Sequence, residues 1–194
     1  MKSDRTGREE ALALFKKYNQ SDSLLKHALS VEGVMRYMAR KHGEDEEMWG
    51  VIGLIHDLDY EMYPDQHCTM TEKILREGGW PEEYIRAVIS HGYGICSDTE
   101  PQSLLEKTLF AVDELTGLVA TSALVRPSKS VMDMEARSVR KKWTDKRFAA
   151  GVDRNVIEKG AAMLGVELSD LITDTIMGMR DVAEDIGLMG NPPQ

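Results

Sequence analysis

The sequence predicts an all-α protein, and three observations carry that prediction. Apolar residues recur at spacings of three and four along most of the chain. No segment alternates apolar and polar residues long enough for a half-buried strand. Glycines, prolines and clustered capping side chains cut the chain into helix-sized pieces joined by short connections.

Glu9 to Tyr18 reads as a short helix, which Asn19 to Ser23 breaks with several capping side chains. From Leu24 the residues His27, Ala28, Val31, Val34, Met35 and Met38 form a core-facing stripe, and Gly43 stops that second helix. The acidic residues from Glu44 to Glu47 suit the positive N-terminus of a third. This helix is apolar on nearly every side and is expected to run from Met48 through His56, Asp57 and Asp59 to Tyr60, before Tyr63 and Pro64 end it. A fourth helix starts near His67 and closes at Gly78 and Gly79. Pro81 is expected in the first turn of the fifth, whose face Ile85, Val88 and Ile89 leads to His91. After a loop from Gly92 to Thr99, a sixth helix from near Pro101 carries Leu105, Leu109, Val112, Asp113 and Thr116.

Beyond Gly117 short pieces are expected up to Pro127, then a basic helix ending near Trp143, a helix from Val152 to Leu164 and an amphipathic one from Leu168 to Ile186. The expected organisation is an N-terminal helix (1–21) packed on a core (22–120), with a C-terminal helical extension (121–194) packed on that core, its last residues from Gly190 frayed.

Composition narrows the function classes. No run approaches the roughly 18 apolar residues of a membrane span. The first eight residues carry charge without an apolar centre, unlike a signal peptide. Cys68 and Cys96 do not make a disulfide framework, so a reducing, cytoplasmic setting is expected. A net charge of -9 argues against indiscriminate binding to a nucleic-acid duplex. Yet Arg126 to Arg147 holds eight basic residues against three acidic ones, which makes it either a solvated face or an anion-facing surface.

Of five histidines, His27, His56, His67 and His91 fall at or inside the apolar faces of four successive helices, and Asp113 does so on the next. Buried polar groups are unfavourable unless something pairs with them, and a metal ion pairs well with neutral imidazole and ionised carboxylate. Helices packed about 10 Å or less apart can bring such side chains to a common point. His42, at a helix end beside Lys41 and Gly43, has no such setting.

The order His27, His56-Asp57, Asp113 resembles the HD superfamily of metal-dependent phosphohydrolases, all-helical proteins named for the adjacent pair. The resemblance implies that these four positions hold one ion. His67 and His91 resemble the two further ligands of the binuclear branch, in which Asp57 is the natural bridge. The mixed nitrogen and oxygen set suits one or two ions of iron, manganese, cobalt or zinc better than magnesium. The activity that the resemblance implies is hydrolysis of a small phosphorylated metabolite or nucleotide by a metal-activated hydroxide, with Asp57 and Asp59 as catalytic carboxylates. Asp59 stands where the family often has glycine, and can bind water, hold a ligating histidine or cap the helix. Arg140, Lys141 and Lys107 are candidates for holding the rest of an anionic substrate. Two alternatives share the fold: a di-iron oxygenase, and a non-catalytic metal-stabilised interaction module. A homodimer formed through the C-terminal region is compatible with all three.

Overall fold

A computed structural model describes residues 6–191, so the expectations for residues 1–5 and 192–194 lie outside the described residues. The helices are α1 (Arg8–Tyr18), α2 (Asp22–His42), α3 (Glu46–Ile55), α4 (Thr69–Glu77), α5 (Glu82–Ser90), α6 (Leu104–Leu124), α7 (Ala136–Arg140), α8 (Arg154–Leu164) and α9 (Leu168–Asp181), with a 3-10 turn at Pro64–Gln66. Among the described residues there is no strand, only an isolated bridge between Tyr93 and Ser97.

The two 21-residue helices, α2 and α6, are the centre of the bundle. Helix α2 packs on α3, α6 and α9; α6 packs on α2, α5, α7, α8 and α9. Their shared interior is built from fully buried Val31, Val34, Met35, Leu109, Val112 and Leu115. Removing such side chains from water stabilises the fold by roughly 1.5–3 kcal/mol each. Helix α6 starts at a capping box, in which Ser103 Oγ accepts from Glu106 N (3.1 Å) and Glu106 Oε2 accepts from Ser103 N (3.3 Å).

Four boundaries differ from the sequence expectation. Helix α3 stops at Ile55 rather than Tyr60, and residues 56–62 wind in turns with three-residue bonds, Leu58 N to Ile55 O and Tyr60 N to Asp57 O, both 3.2 Å. Side chains take the carbonyls that a helix needs: locally, Gly53 O accepts from His56 Nδ1 (2.7 Å), and across the fold Leu58 O accepts from Asn19 Nδ2 (2.8 Å). Helix α6 runs on past Gly117 to Leu124, because Leu118, Val119, Ser122 and Ala123 continue its buried face. The basic helix shrinks to the five residues of α7, of which only Val139 is buried; one anchor cannot support a longer helix. Pro81 is the N-cap of α5 rather than part of its first turn.

The segment 56–62 is held from below by the α1–α2 connection. Glu61 Oε2 accepts from the backbone of Gln20 (2.6 Å) and Ser21 (2.9 Å). Buried Glu32 on α2 ties in both neighbours, pairing with Arg8 of α1 (2.6 Å) and with Arg36 (2.9 Å), which reaches Glu47 of α3 (2.9 Å). On the other side, Gly160 of α8 sits so close to α6 that a Cβ there would lie 2.6 Å from the Ala111 side chain. That close approach brings the N-terminus of α8 over the middle of α6.

Candidate metal centre

Four imidazoles converge between α2, α3, α5 and α6. His27 projects from α2 and Asp113 from α6, while His56 and His91 are the C-cap residues of α3 and α5. The same device orients both caps: each ring donates through Nδ1 to the carbonyl three residues back, His56 to Gly53 (2.7 Å) and His91 to Val88 (2.5 Å). His67, between the 3-10 turn and α4, donates through Nδ1 to Asp59 Oδ1 (2.7 Å). His27 Nδ1 faces the Thr116 hydroxyl at 3.4 Å. With Nδ1 committed, the neutral ring keeps its lone pair on Nε2, the arrangement of a metal ligand held by an outer partner.

The Nε2 atoms point at one another and at two carboxylates. His27 and His56 Nε2 are 3.2 Å apart, and each lies 3.0–3.2 Å from Asp113 Oδ1. Asp57 Oδ2 completes this group at 3.5 Å from His27 and 3.4 Å from His56. The other oxygen, Asp57 Oδ1, faces His67 (3.5 Å) and His91 (3.4 Å), whose Nε2 atoms are again 3.2 Å apart. Donors sharing an ion at about 2.1 Å stand about 3.0 Å apart in an octahedron and about 3.4 Å in a tetrahedron. The observed separations fit ligand edges, and facing lone pairs at 3.2 Å repel unless a cation or proton lies between them. His27, His56, Asp57 and Asp113 therefore form one cluster and Asp57, His67 and His91 a second, overlapping at Asp57. Both suit transition-metal coordination.

The electrostatics of the side chains point the same way. Burial disfavours the charged form of His56, yet Asp57 and Asp113 overcome it and hold its pKa well above the ordinary imidazole value. At His91 burial again opposes charge, and the bond to Asp57 raises the pKa. Burial likewise opposes ionisation of Asp57 and Asp113, but His56 and its neighbouring rings keep both below the usual carboxylate range. The two carboxylates thus draw protons onto His56 and His91, and a divalent ion would bind by displacing those protons.

Asp59 is fully buried and does not line the cavity. Its Oδ1 accepts from His67 and its Oδ2 from Thr71 N at 2.8 Å. Both oxygens are thus taken inside the fold, one by the His67 imidazole, which is the second of the three arrangements open to Asp59 from sequence. His42 is exposed at the C-terminus of α2.

The cluster opens into a cavity of about 320 Å³. Leu24, Tyr60, Ile95, Val152 and Val156 supply apolar walls, and Glu114 adds a third carboxylate. Burial and then Asp113 push Glu114 up to about 7, while its bond from Asp153 N (3.2 Å) works the other way. None of Arg140, Lys141 and Lys107 lines this cavity. Arg140 and Lys141 are exposed, and Arg140 donates to Ser169 Oγ (3.3 Å). Sequence reasoning missed Glu114, although it is one of only four charged residues in α6. Cys68 and Cys96, expected to play no framework role, are joined beside the site with their Cα atoms 6.1 Å apart, and Cys96 lines the cavity. A Cβ on Gly92 would collide with both sulfurs, so only glycine fits between them.

An all-helical fold with these overlapping His/Asp clusters defines the HD-domain class. The family model described as HD domain matches residues 24–118, and additional C-terminal helices lie beyond the matched span. Two curated proteins are similar. Ribonuclease Y of Desulfotalea psychrophila (strain LSv54 / DSM 12343) is 28% identical over 144 residues, covering 70% of this chain and 27% of that protein. Ribonuclease Y of Acholeplasma laidlawii (strain PG-8A) is 25% identical over 171 residues, covering 84% of this chain and 30% of that protein. The chain spans less than a third of the length of either relative. No solved structure matches. Among the described residues no helix is long and apolar enough to cross a membrane.

Proposed function

We propose that this chain is a phosphohydrolase that cleaves a small phosphorylated metabolite or nucleotide at a binuclear metal centre. The observation that carries the reading is Asp57, one carboxylate whose two oxygens face two separate sets of imidazole nitrogens. His27, His56, Asp57 and Asp113 would hold one ion, and Asp57, His67 and His91 the other. Iron, manganese, cobalt and zinc suit these donors. Bound there, the ions supply a lowered pKa for a coordinated water and neutralisation of phosphoryl charge.

The chain's own residues do the rest. The carbonyls of Gly53 and Val88 and the Asp59 carboxylate fix three rings in the ligating tautomer. Leu24, Val152 and Val156 narrow the approach and limit the water around the substrate. Ribonuclease, the relatives' name, supports phosphoester hydrolysis over oxygenation. The net charge of -9 and a cavity without lysine or arginine support a small substrate over an RNA chain.

The test is metal analysis of the purified protein, then phosphate release from phosphomonoesters, dinucleotides and cyclic nucleotides with each of the four metals, beside an oxygen electrode. Phosphate release that proceeds equally without dioxygen is expected. Turnover only with oxygen uptake would move the assignment to the oxygenase reading; two bound ions with no turnover at all would leave the interaction module.

A further inference from the structure

The cavity wall is unusual for a site that receives phosphate esters, because none of its fifteen lining residues is a lysine or arginine. Neighbouring cations lie outside it: Lys26 belongs to a hollow that shares His27 and Gly117, and it pairs with Asp22 (2.6 Å). Lys146 and Arg154 belong to an adjoining hollow on the far side of Gly151 and Val152. The Arg154 guanidinium is already committed to the carbonyls of Phe148 (2.7 Å) and Asp145 (3.2 Å). Lys159 sits over the Tyr93 ring, 4.2 Å from its centroid.

What the wall holds instead is Glu114. It follows Asp113 on α6, so the two side chains diverge by about 100°, and both line the cavity. Glu114 is half-buried and fastened at one oxygen, Oε2, by the backbone N–H of Asp153, the N-cap of α8. Among the described residues its Oε1 has no hydrogen-bond partner. A carboxylate clamped by one oxygen and free at the other is a directional acceptor facing whatever fills the cavity. It also repels a second anion.

Resting on the phosphohydrolase reading, we propose that Glu114 is the specificity-determining residue. It selects phosphomonoesters whose alcohol portion carries a hydrogen-bond donor, a hydroxyl or an ammonium, and rejects those that carry a second phosphate. The volume of about 320 Å³ agrees, since it lies at the small end of ligand cavities. Selection against the wrong partner by an unpaired like charge is a general route to specificity.

Four synthetic esters isolate the effect: n-propyl phosphate, 3-hydroxypropyl phosphate, 3-aminopropyl phosphate and propane-1,3-diyl bisphosphate. For the wild type, assayed at about pH 8.5 so that Glu114 is ionised, the two donor-bearing esters should exceed n-propyl phosphate in kcat/KM by about 10- to 100-fold, the range of a hydrogen bond to a charged group. The bisphosphate should be the poorest. Glu114→Gln loses the charge, and with its one acceptor oxygen on the Asp153 N–H it turns an amide NH2 toward the cavity, which a hydroxyl can still meet as acceptor. It should retain the hydroxyl preference, lose the extra ammonium preference and accept the bisphosphate about 10-fold better or more. Glu114→Ala should flatten the series. Calorimetric binding of n-propylphosphonate and 3-aminopropylphosphonate to the metal-loaded wild type and variants reads the same preference without turnover. Metal content, measured in parallel, should match in all three proteins.

The outcomes separate. If p-nitrophenyl phosphate is hydrolysed and the variants keep wild-type ratios, the role of Glu114 is overturned and the phosphohydrolase reading survives. If no ester is cleaved, that reading falls, and the phosphonate affinities alone decide: equal affinity for the two in the wild type overturns the selection, a preference lost in both variants upholds it.

Discussion

Asp59→Asn tests how the second ion site is built. The carboxylate is fully buried and accepts two hydrogen bonds, from His67 Nδ1 at 2.7 Å and from Thr71 N at 2.8 Å. Asparagine has nearly the same shape but only one acceptor oxygen. If that oxygen faces Thr71 N, the amide NH2 meets His67 Nδ1 and drives the ring to the other tautomer, which places a proton on Nε2 where the ligand lone pair belongs. If it faces His67, two donors confront each other at Thr71, a buried defect of about 1–3 kcal/mol. Either way the penalty falls on the His67/His91 side, and outer partners of ligating histidines are worth about 10- to 100-fold in metal affinity. The other cluster does not touch Asp59. Plasma emission analysis after dialysis against a weak chelator should therefore fall from about two ions per chain toward one. Competition calorimetry should find the tighter site unchanged. Wild-type stoichiometry in the variant, or loss of both ions together, would refute the separation of the two sites.

Three further outcomes are expected. Asp57→Asn removes the anion shared by both clusters and should lose both ions and turnover, whereas exposed His42→Ala should keep both; equal metal content in the two proteins sinks the bridging role. Second, His56 and His91 have raised folded pKa values, so their stabilisation of the metal-free protein is complete below about 6.5 and is lost as the pH rises through those values. Glu114, raised to about 7 from 4.5, adds a penalty of the same direction between those two pH values. Metal binding needs neutral imidazole, so the melting-temperature gap between metal-loaded and chelated protein should widen upward from about pH 6, and a narrowing gap would contradict this. Third, the Cys68–Cys96 bond spans 28 residues, and chain entropy gives it up to about 3.5 kcal/mol. A thiol reductant should lower the denaturation midpoint of the wild type and leave Cys96→Ser unmoved; no shift in the wild type would show that the bond does not contribute.

The six converging positions were legible because four histidines and Asp113 fall on apolar stripes, where a lone polar group is unfavourable and a set of them calls for a common partner, and because Asp57 adjoins His56. The place where α3 ends was not legible. Its apolar run continues through Leu58, which is fully buried, while the His56 ring takes the Gly53 carbonyl and Asn19, from a distant part of the chain, takes that of Leu58. Asp59 had three roles open to it and no means of choosing among them, since Thr71 lies twelve residues on and meets it through a turn rather than a helical period. Glu114 sits beside Asp113, off the apolar stripe of α6, and reads as solvated until α8 folds over it. Charge in the basic stretch was readable; its direction was not, and Arg140 faces Ser169 rather than the cavity.

The ligands and the walls of the cavity come from different parts of the chain. Every side chain of the two His/Asp clusters lies within the matched span 24–118, but Gly151, Val152 and Val156 come after it, as does the Asp153 amide that clamps Glu114. Selection can therefore rewrite the loop before α8 without disturbing a single ligand. Two descendants of such a protein would load the same metals and accept different molecules. Swapping residues 145–153 between them should exchange substrate preference while leaving the metal content of each untouched.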